Sequence, residues 1–393
     1  MSRKRVMDGN RAAAYGAMLC RPTVLSAYPI TPQTSLVEHL SSFIADGLLD
    51  AEMIEAESEH SVLSALQGAC LAGARVFTGT SGQGLCFMYE AYIGTSTLRL
   101  PIVMVIVNRE TISPTTVWGG QQDSVSVRDA GWIQIYCENN QEILDSVIMG
   151  FRIAEDPEVL LPVNICYDGF YLSHMSEGVE VPPQKRVDQF LPPFKMDHLK
   201  LDPKEPMAVD PMTPGDLLTE YRFKHVAAMQ RAKRVIDRTD RDFRKLFKRG
   251  YGGQIEAYRT DDAELLLVAM GSSAGTAKVA VDLARDRGIL VGLLKIRSFR
   301  PFPAEKIAEI ADKKKVIAVI DRNVCFGWGT GAVFMEIQSA LGFKAEGKSL
   351  LNYIGGLGGS DITVNHIHGI IEDMVQNRGK GTRKVSWLGI DDV

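Results

Sequence analysis

The chain has 393 residues, 45% of them hydrophobic and 23% charged, with a formal net charge of −4. This is the composition of a globular protein of two or three domains, with no basic excess for nucleic acid and no acidic tail. No apolar stretch approaches the ~18 residues of a membrane span, and the basic start MSRKRVMDGN leads into no apolar signal region, so the expected location is the cytoplasm.

Residues 8–178 alternate strand-like apolar runs with helical ones. TVLSAY (Thr23–Tyr28) predicts a buried strand, and SLVEHLSSFIAD (Ser35–Asp46) an amphipathic helix. Between them, SAYPITPQTS holds a rigid turn, because Pro29 and Pro32 each fix φ and bias the preceding residue away from helix. Ile30 suits a core pocket, which leaves Thr31 pointing outward at the carboxyl end of a strand. HSVLSALQGACLAG (His60–Gly73) predicts a second helix, whose small residues suit tight packing. ARVFTGT (Ala74–Thr80) is a strand running into a Gly/Ser turn. PIVMVIV (Pro101–Val107) and LPVNICY (Leu161–Tyr167) are apolar throughout, the pattern of central strands in a parallel sheet. Together these runs predict an α/β parallel sheet with helices on both faces.

After Val179 the sequence turns polar and proline-dense, as in an extended connector that wraps a surface. Asp216–Gly250 predicts one long charged helix ending at glycine. Its interleaved acids mark a solvated or partner-facing helix rather than a nucleic-acid arm. A second α/β unit runs from Asp261 to Arg378, and the Lys/Gly-rich residues from Gly379 predict a flexible tail. The six cysteines lie at no local spacing that would hold a cluster, zinc or a disulfide framework, so most of them read as buried apolar residues.

Four stretches could carry chemistry. TGTSGQG (Thr78–Gly84, with Thr80, Ser81 and Gly82) is either a phosphate cradle at a helix N-terminus or a tight strand-to-helix turn. GSSAGTA (Gly271–Ala277) opens a helix at Lys278 and fits ordinary packing better than a nucleotide site, because the GxGxxG spacing fails. EAESEHS (Glu55–Ser61) sets three carboxylates before an apolar helix. Any one of them, drawn into a buried place, would have a raised pKa and could share a proton. VNRE (Val107–Glu110) puts Arg109 at the end of the most apolar strand, either as a carboxylate clamp or in a structural ion pair.

AYPITPQT, ESEHS, GARVFTGTSGQG, VNR, QQDSVSVRDAGWIQIYCENNQE, DGFYLSH, LLKIRSFRPFP and GLGGSDIT follow one another in that order. Together they resemble the alpha subunit of the CoA-acylating 2-oxoacid:acceptor oxidoreductases, the pyruvate:ferredoxin oxidoreductase family, from about Gly9 to Asp361. The resemblance implies a pyrimidine-type thiamine diphosphate domain over residues 1–179 and a connector with its long helix over 180–260. A transketolase C-terminal-like α/β domain would follow over 261–378, with the tail at 379–393. It also implies oxidative decarboxylation of a 2-oxoacid with CoA to acyl-CoA and CO2. Thiamine diphosphate would be shared with a beta subunit, and Mg2+ and [4Fe-4S] clusters would be held by partner subunits of beta, gamma and delta type. Electrons would pass through them to ferredoxin or another acceptor, in anaerobic metabolism. No metal is expected on this chain.

Carried over residue by residue, the resemblance makes Glu59 the acid that meets N1′ of the aminopyrimidine. Thr31 and Arg109 would bind the substrate, and Pro29, Ile30, Thr80, Ser81 and Gly82 would border the cofactor. Trp118 and Asp123 would border the substrate. The loop after Arg109 departs from pyruvate-type members, which read like ALSAPINIWNDHSD there. In ETISPTTVWGGQQDS, Ser113, Pro114, Trp118 and Asp123 keep the frame while Glu110, Thr111, Gly119 and Gly120 differ. The two glycines are expected to loosen the loop, so that the substrate is either pyruvate or a bulkier aryl or branched acid such as phenylglyoxylate. Two other readings stand beside this one: a thiamine-dependent E1-type dehydrogenase or transketolase-like subunit, and a non-catalytic assembly subunit.

Overall fold

The computed structural model describes residues 3–196 and 198–390. Two parallel sheets carry the chain. The first has seven strands, in the spatial order Ser298–Arg300, Ile133–Tyr136, Val163–Asp168, Val103–Asn108, Val76–Thr80, Val24–Ala27 and Glu52–Glu55. All of its pairings are parallel except that of Ser298–Arg300 with Ile133–Tyr136. The second has six strands, in the order Arg383–Trp387, Ser349–Ile354, Val316–Asp321, Leu265–Met270, Val291–Ile296 and Ile255–Tyr258, the last antiparallel. A separate antiparallel ribbon pairs Arg3–Met7 with Glu177–Val181.

The apolar runs became strands because each is covered on both faces. Val103–Asn108 and Val163–Asp168 are buried at every position. Helix Gly9–Cys20 is capped by Asp8, whose side chain accepts from the N–H of Arg11. It lies close on helix Asn140–Ala154, since a Cβ on Gly16 would stand 2.8 Å from the carbonyl of Leu144. One core cluster fills the gap between the sheets, joining Met104 and Ile106 of the first to Leu266, Val268 and Leu294 of the second. The two units therefore share apolar surface as well as a chain.

Four differences from the sequence reading have physical causes. The ribbon runs to Val181, across the expected boundary at 179, because residues 3–7 need a partner for their edge. Strand Ser298–Arg300 crosses back to complete the first sheet, and Ile255–Tyr258 joins the second from within the expected connector. The long helix spans Gly215–Phe247 and ends on Lys248 in the left-handed region, at φ 65°. Its second half is not solvated: Ala228, Ala232, Val235, Ile236, Phe243 and Phe247 are buried in the core of the first unit. The expected flexible tail contains strand Arg383–Trp387, hydrogen-bonded parallel to Ser349–Ile354 and tied by Lys384 to Asp373 at 3.2 Å. Its lysines and arginine read as tail composition, yet charge on a mostly exposed edge strand is what keeps such an edge from pairing further.

Candidate functional site

The carboxyl ends of the first sheet's strands converge, which is where open parallel sheets bind ligands. Strand Val24–Ala27 runs into the Tyr28–Pro32 turn. Below the turn lies a buried chain of hydrogen bonds: Tyr167 donates to Asn10 Oδ1 at 2.7 Å, and Asn10 Nδ2 donates to the carbonyl of Pro32 at 2.7 Å. Gly169 backs the turn, since a Cβ there would stand 2.8 Å from Pro32 Cγ and 2.6 Å from the carbonyl of Asn108. Pro32 is buried and Ile30 half-buried, while Tyr28, Pro29 and Thr31 are exposed. The stiff frame thus presents Thr31 outward.

Arg109 leaves the strand Val103–Asn108 and is 6% exposed. Its Nη1 donates to the carbonyl of Thr31 at 2.8 Å, while its buried Nε has no partner. Gly82, at φ +45°, makes room for this side chain, because a Cβ there would lie 2.9 Å from Arg109 Nε. Asp123 is fully buried, and its carboxylate accepts from the N–H groups of Gly82 and Arg109 at 3.0 Å, Asn108 Nδ2 at 2.8 Å and the N–H of Ser124 at 2.7 Å. Burial outweighs these donors and raises its pKa to about 6. Expected beside the substrate, Asp123 lies instead under the site, where it fixes the backbone that carries Arg109.

Of the three carboxylates in EAESEHS, Glu55 and Glu57 are exposed and Glu59 is buried. Glu59 opens helix Glu59–Leu71, whose N-cap Ser58 accepts from the N–H of Ser61. Burial raises its pKa, partly offset by its own backbone N–H. A Cβ on Gly84 would stand 2.5 Å from Glu59 Oε1 and 2.6 Å from Thr80 Oγ1. The glycines of TSGQG therefore admit Arg109 and Glu59 to one floor. Ser81 is buried and donates to the carbonyl of Val107 at 2.6 Å, which places its hydroxyl in that floor too.

A test of fit to the aminopyrimidine of thiamine diphosphate rests on these groups. Glu59 is a buried carboxyl of raised pKa, and Thr80 Oγ1 is buried without a partner. Together they offer an acid and a hydroxyl to a flat nitrogen heterocycle, so the residues fit the group.

Trp118 lies further out, 51% exposed, its ring 4.4 Å from that of Phe170. It lines a cavity of about 730 Å³ between the two units, with Phe170, Tyr171, Ser272 and Arg322. The expectation that Gly119 and Gly120 loosen this loop is overturned. Both are buried, the N–H of Gly359 donates to the carbonyl of Gly119 at 2.6 Å, and a Cβ on Gly119 would stand 2.7 Å from the carbonyl of Gly169. The glycines permit close packing, and the packing holds the arm. Across the cavity, GSSAGTA faces a carboxylate: Ser272 donates its N–H at 3.0 Å to Asp168, which also pairs with Arg322 at 2.7 Å. The stretch is itself the first turn of helix Ser273–Asp286, the ordinary packing the sequence favoured.

Sequence reasoning assigned no role to Asn10, Tyr167, Gly169, Asp168 or Arg322. Signals existed for two of them, because Asp168 and Gly169 open the DGFYLSH motif at a strand end. Asn10 and Tyr167 had none, since their meeting depends on how helix Gly9–Cys20 crosses the sheet.

Two family models match. One, described as "Pyruvate flavodoxin/ferredoxin oxidoreductase, thiamine diP-bdg", covers residues 15–241. The other, "Pyruvate:ferredoxin oxidoreductase core domain II", covers 263–367. The chain is 48% identical to the NADH-dependent phenylglyoxylate dehydrogenase subunit alpha of Aromatoleum evansii, over 98% of this chain and 94% of that one. It is 46% identical to pyruvate synthase subunit PorA of Methanothermobacter thermautotrophicus, over 99% and 98%. It is 47% identical to ketoisovalerate oxidoreductase subunit VorA of Pyrococcus abyssi, over 98% and 97%. In fold it matches a solved 2-oxoglutarate:ferredoxin oxidoreductase from Magnetococcus marinus at TM-score 0.74 and 19% identity, over 95% of this chain and 65% of that longer one. The chain belongs to the pyruvate flavodoxin/ferredoxin oxidoreductase family, and its first unit is a thiamine diphosphate-binding domain of that family. The expected family and α/β fold class are both borne out. Among the described residues no helix is long and apolar enough to cross a membrane.

Proposed function

We propose that this chain is the alpha subunit of a cytoplasmic 2-oxoacid oxidoreductase that forms acyl-CoA and CO2 by oxidative decarboxylation. One observation carries the reading: Glu59, Thr80, Arg109 and the Thr31 turn share one strand-end floor, with an acid, a hydroxyl and a guanidinium nitrogen held there and left unengaged by other side chains. This is half a cofactor site. A beta subunit supplies the other half with the diphosphate and Mg2+, and iron–sulfur clusters on partner subunits take the electrons.

When bound, thiamine diphosphate supplies the nucleophilic carbon and the electron sink for decarboxylation. Glu59, whose pKa burial raises, is the group that would share a proton with the pyrimidine nitrogen. Arg109 meets the carboxylate of the 2-oxoacid through its free Nε, with Nη1 anchored on Thr31. The Thr31 hydroxyl, presented by the rigid turn, donates to a substrate oxygen. Asp123 keeps Arg109 in place from below. The Trp118–Phe170 pair beside the cavity supports an acid bulkier than pyruvate, aryl or branched.

The test is a panel of 2-oxoacids, from pyruvate to phenylglyoxylate, assayed with CoA and a viologen dye on the assembled complex. Turnover by the complex and none by the isolated chain is the expected result. Turnover by the isolated chain would show that the cofactor site is not shared. Metal and flavin content of the same sample identifies the acceptor side.

A further inference from the structure

Glu110 follows Arg109 and begins the loop that closes at Gly120. Its N–H reaches the carbonyl of Trp118 at 3.4 Å, which joins the two arms of the loop at their base. The carboxyl folds across that base onto Gly120, so closely that a Cβ there would stand 1.9 Å from Oε1. From the second unit, Gly359 donates its N–H to the carbonyl of Gly119 at 2.6 Å, and so ties the arm beneath the carboxyl to that unit.

Among the described residues the carboxyl has no cation of its own. Oε1 is buried without a hydrogen-bond partner. The charged groups that face it are Asp123, beyond the far arm, and Arg322, which already pairs with Asp168 at 2.7 Å. Arg109, its neighbour in the chain, directs its guanidinium to Thr31. A buried carboxyl so placed favours its neutral form. Burial and Asp123 raise its pKa to about 7, against partial relief from Gly358 and Arg322.

We propose that Glu110 is a positioning residue, a clasp that closes the base of the Glu110–Gly120 loop, itself tied to the second unit through Gly119 and Gly359, while protonated and loosens when it ionises. The contacts of the clasp stand on this geometry; its effect on substrate rests on the function proposed above. The sign follows from linkage. The closed loop has the higher carboxyl pKa, so closing takes up a proton. Closure is strongest below the ordinary glutamate value of 4.5, weakens as pH rises toward 7, and levels off above. Between roughly pH 6 and pH 8 the closing equilibrium should fall about tenfold.

Hydrogen exchange of residues 110–120 in the assembled complex, corrected for intrinsic rates, reads this directly and needs no turnover. Wild type should lose protection about tenfold over that interval. Glu110→Gln, which keeps the shape and cannot ionise, should hold the low-pH protection throughout. Gly120→Ala, which displaces the carboxyl, should leave the loop unprotected at both ends of the range. The KM for whichever 2-oxoacid is turned over should follow the same three patterns. Flat protection in wild type, or a Glu110→Gln loop that still responds to pH, would overturn the clasp. The expected exchange pattern in a complex that turns over no 2-oxoacid would uphold the clasp and remove the proposed function instead.

Discussion

Both sheets end in strand-to-helix turns with buried carboxylates, yet the two ends differ in what they leave open. At the second sheet, Asp321 accepts from the N–H groups of Val333 at 2.9 Å and Phe334 at 3.1 Å and from Asn352 Nδ2 at 2.9 Å, capping helix Ala332–Leu341. Arg322 beside it is paired with Asp168. At the first sheet, Asp123 is engaged in the same way, but among the described residues Thr80 Oγ1 and Arg109 Nε have no partner, and they lie beside the buried Glu59. An unpartnered buried polar atom costs about 1–3 kcal/mol, so a fold keeps several in one place where a ligand will meet them. The same architecture thus serves as a scaffold at one end and a site at the other.

This contrast can be broken at several points. Glu59→Gln in the complex should lower turnover by roughly 10²–10⁴-fold while leaving thermal unfolding near that of wild type. Unchanged turnover would favour the non-catalytic assembly role. Asp321→Ala should act in the opposite sense, costing about 3–5 kcal/mol in denaturant unfolding because it strands several buried donors. A smaller loss would mean that the second end is less tightly built than its hydrogen bonds indicate. Arg109→Lys keeps the charge and loses the planar fork, and should raise the KM for the 2-oxoacid by roughly ten- to a hundredfold with a lesser change in kcat.

Gly169→Ala would push on Pro32 and on the carbonyl of Asn108, at a cost of about 1–3 kcal/mol. Its KM should rise without a change in pH profile. A further effect concerns pH. Asp321 is a carboxyl whose pKa is raised to about 6 in the folded chain from 3.8, so the folded state binds the extra proton. Its contribution to stability is full below the unfolded value and falls as pH climbs to about 6, a slope that Asp321→Asn should flatten in urea titrations.

The legible part of the site was the part encoded locally. Pro29 and Pro32 dictate a stiff turn whatever surrounds them, and the all-apolar runs announce doubly covered strands. The helix expected over Ser35–Asp46 came within a residue at each end, at Thr34–Ala45, for the same reason. The illegible part involved residues brought together from far along the chain. Asp123 looked like a substrate contact because it sits in the right loop, and N–H groups of Gly82, Asn108 and Arg109, from two distant turns of the chain, drew it underneath. Gly119 and Gly120 looked like slack because glycine is flexible in isolation. Between the carbonyl of Gly169 and the carboxyl of Glu110 they are the residues small enough to fit.

The amino-acid sequence by itself determined the alternation of strands and helices, the rigid Thr31 turn and the acid-bearing start of helix Glu59–Leu71, because each follows from steric preference and apolar period over a few neighbouring residues. Only the tertiary structure decided which of three carboxylates is buried, that the long charged helix lies in the first core, and that Glu110 closes a loop against the second unit. Those outcomes depend on desolvation and on backbone approaches between distant segments.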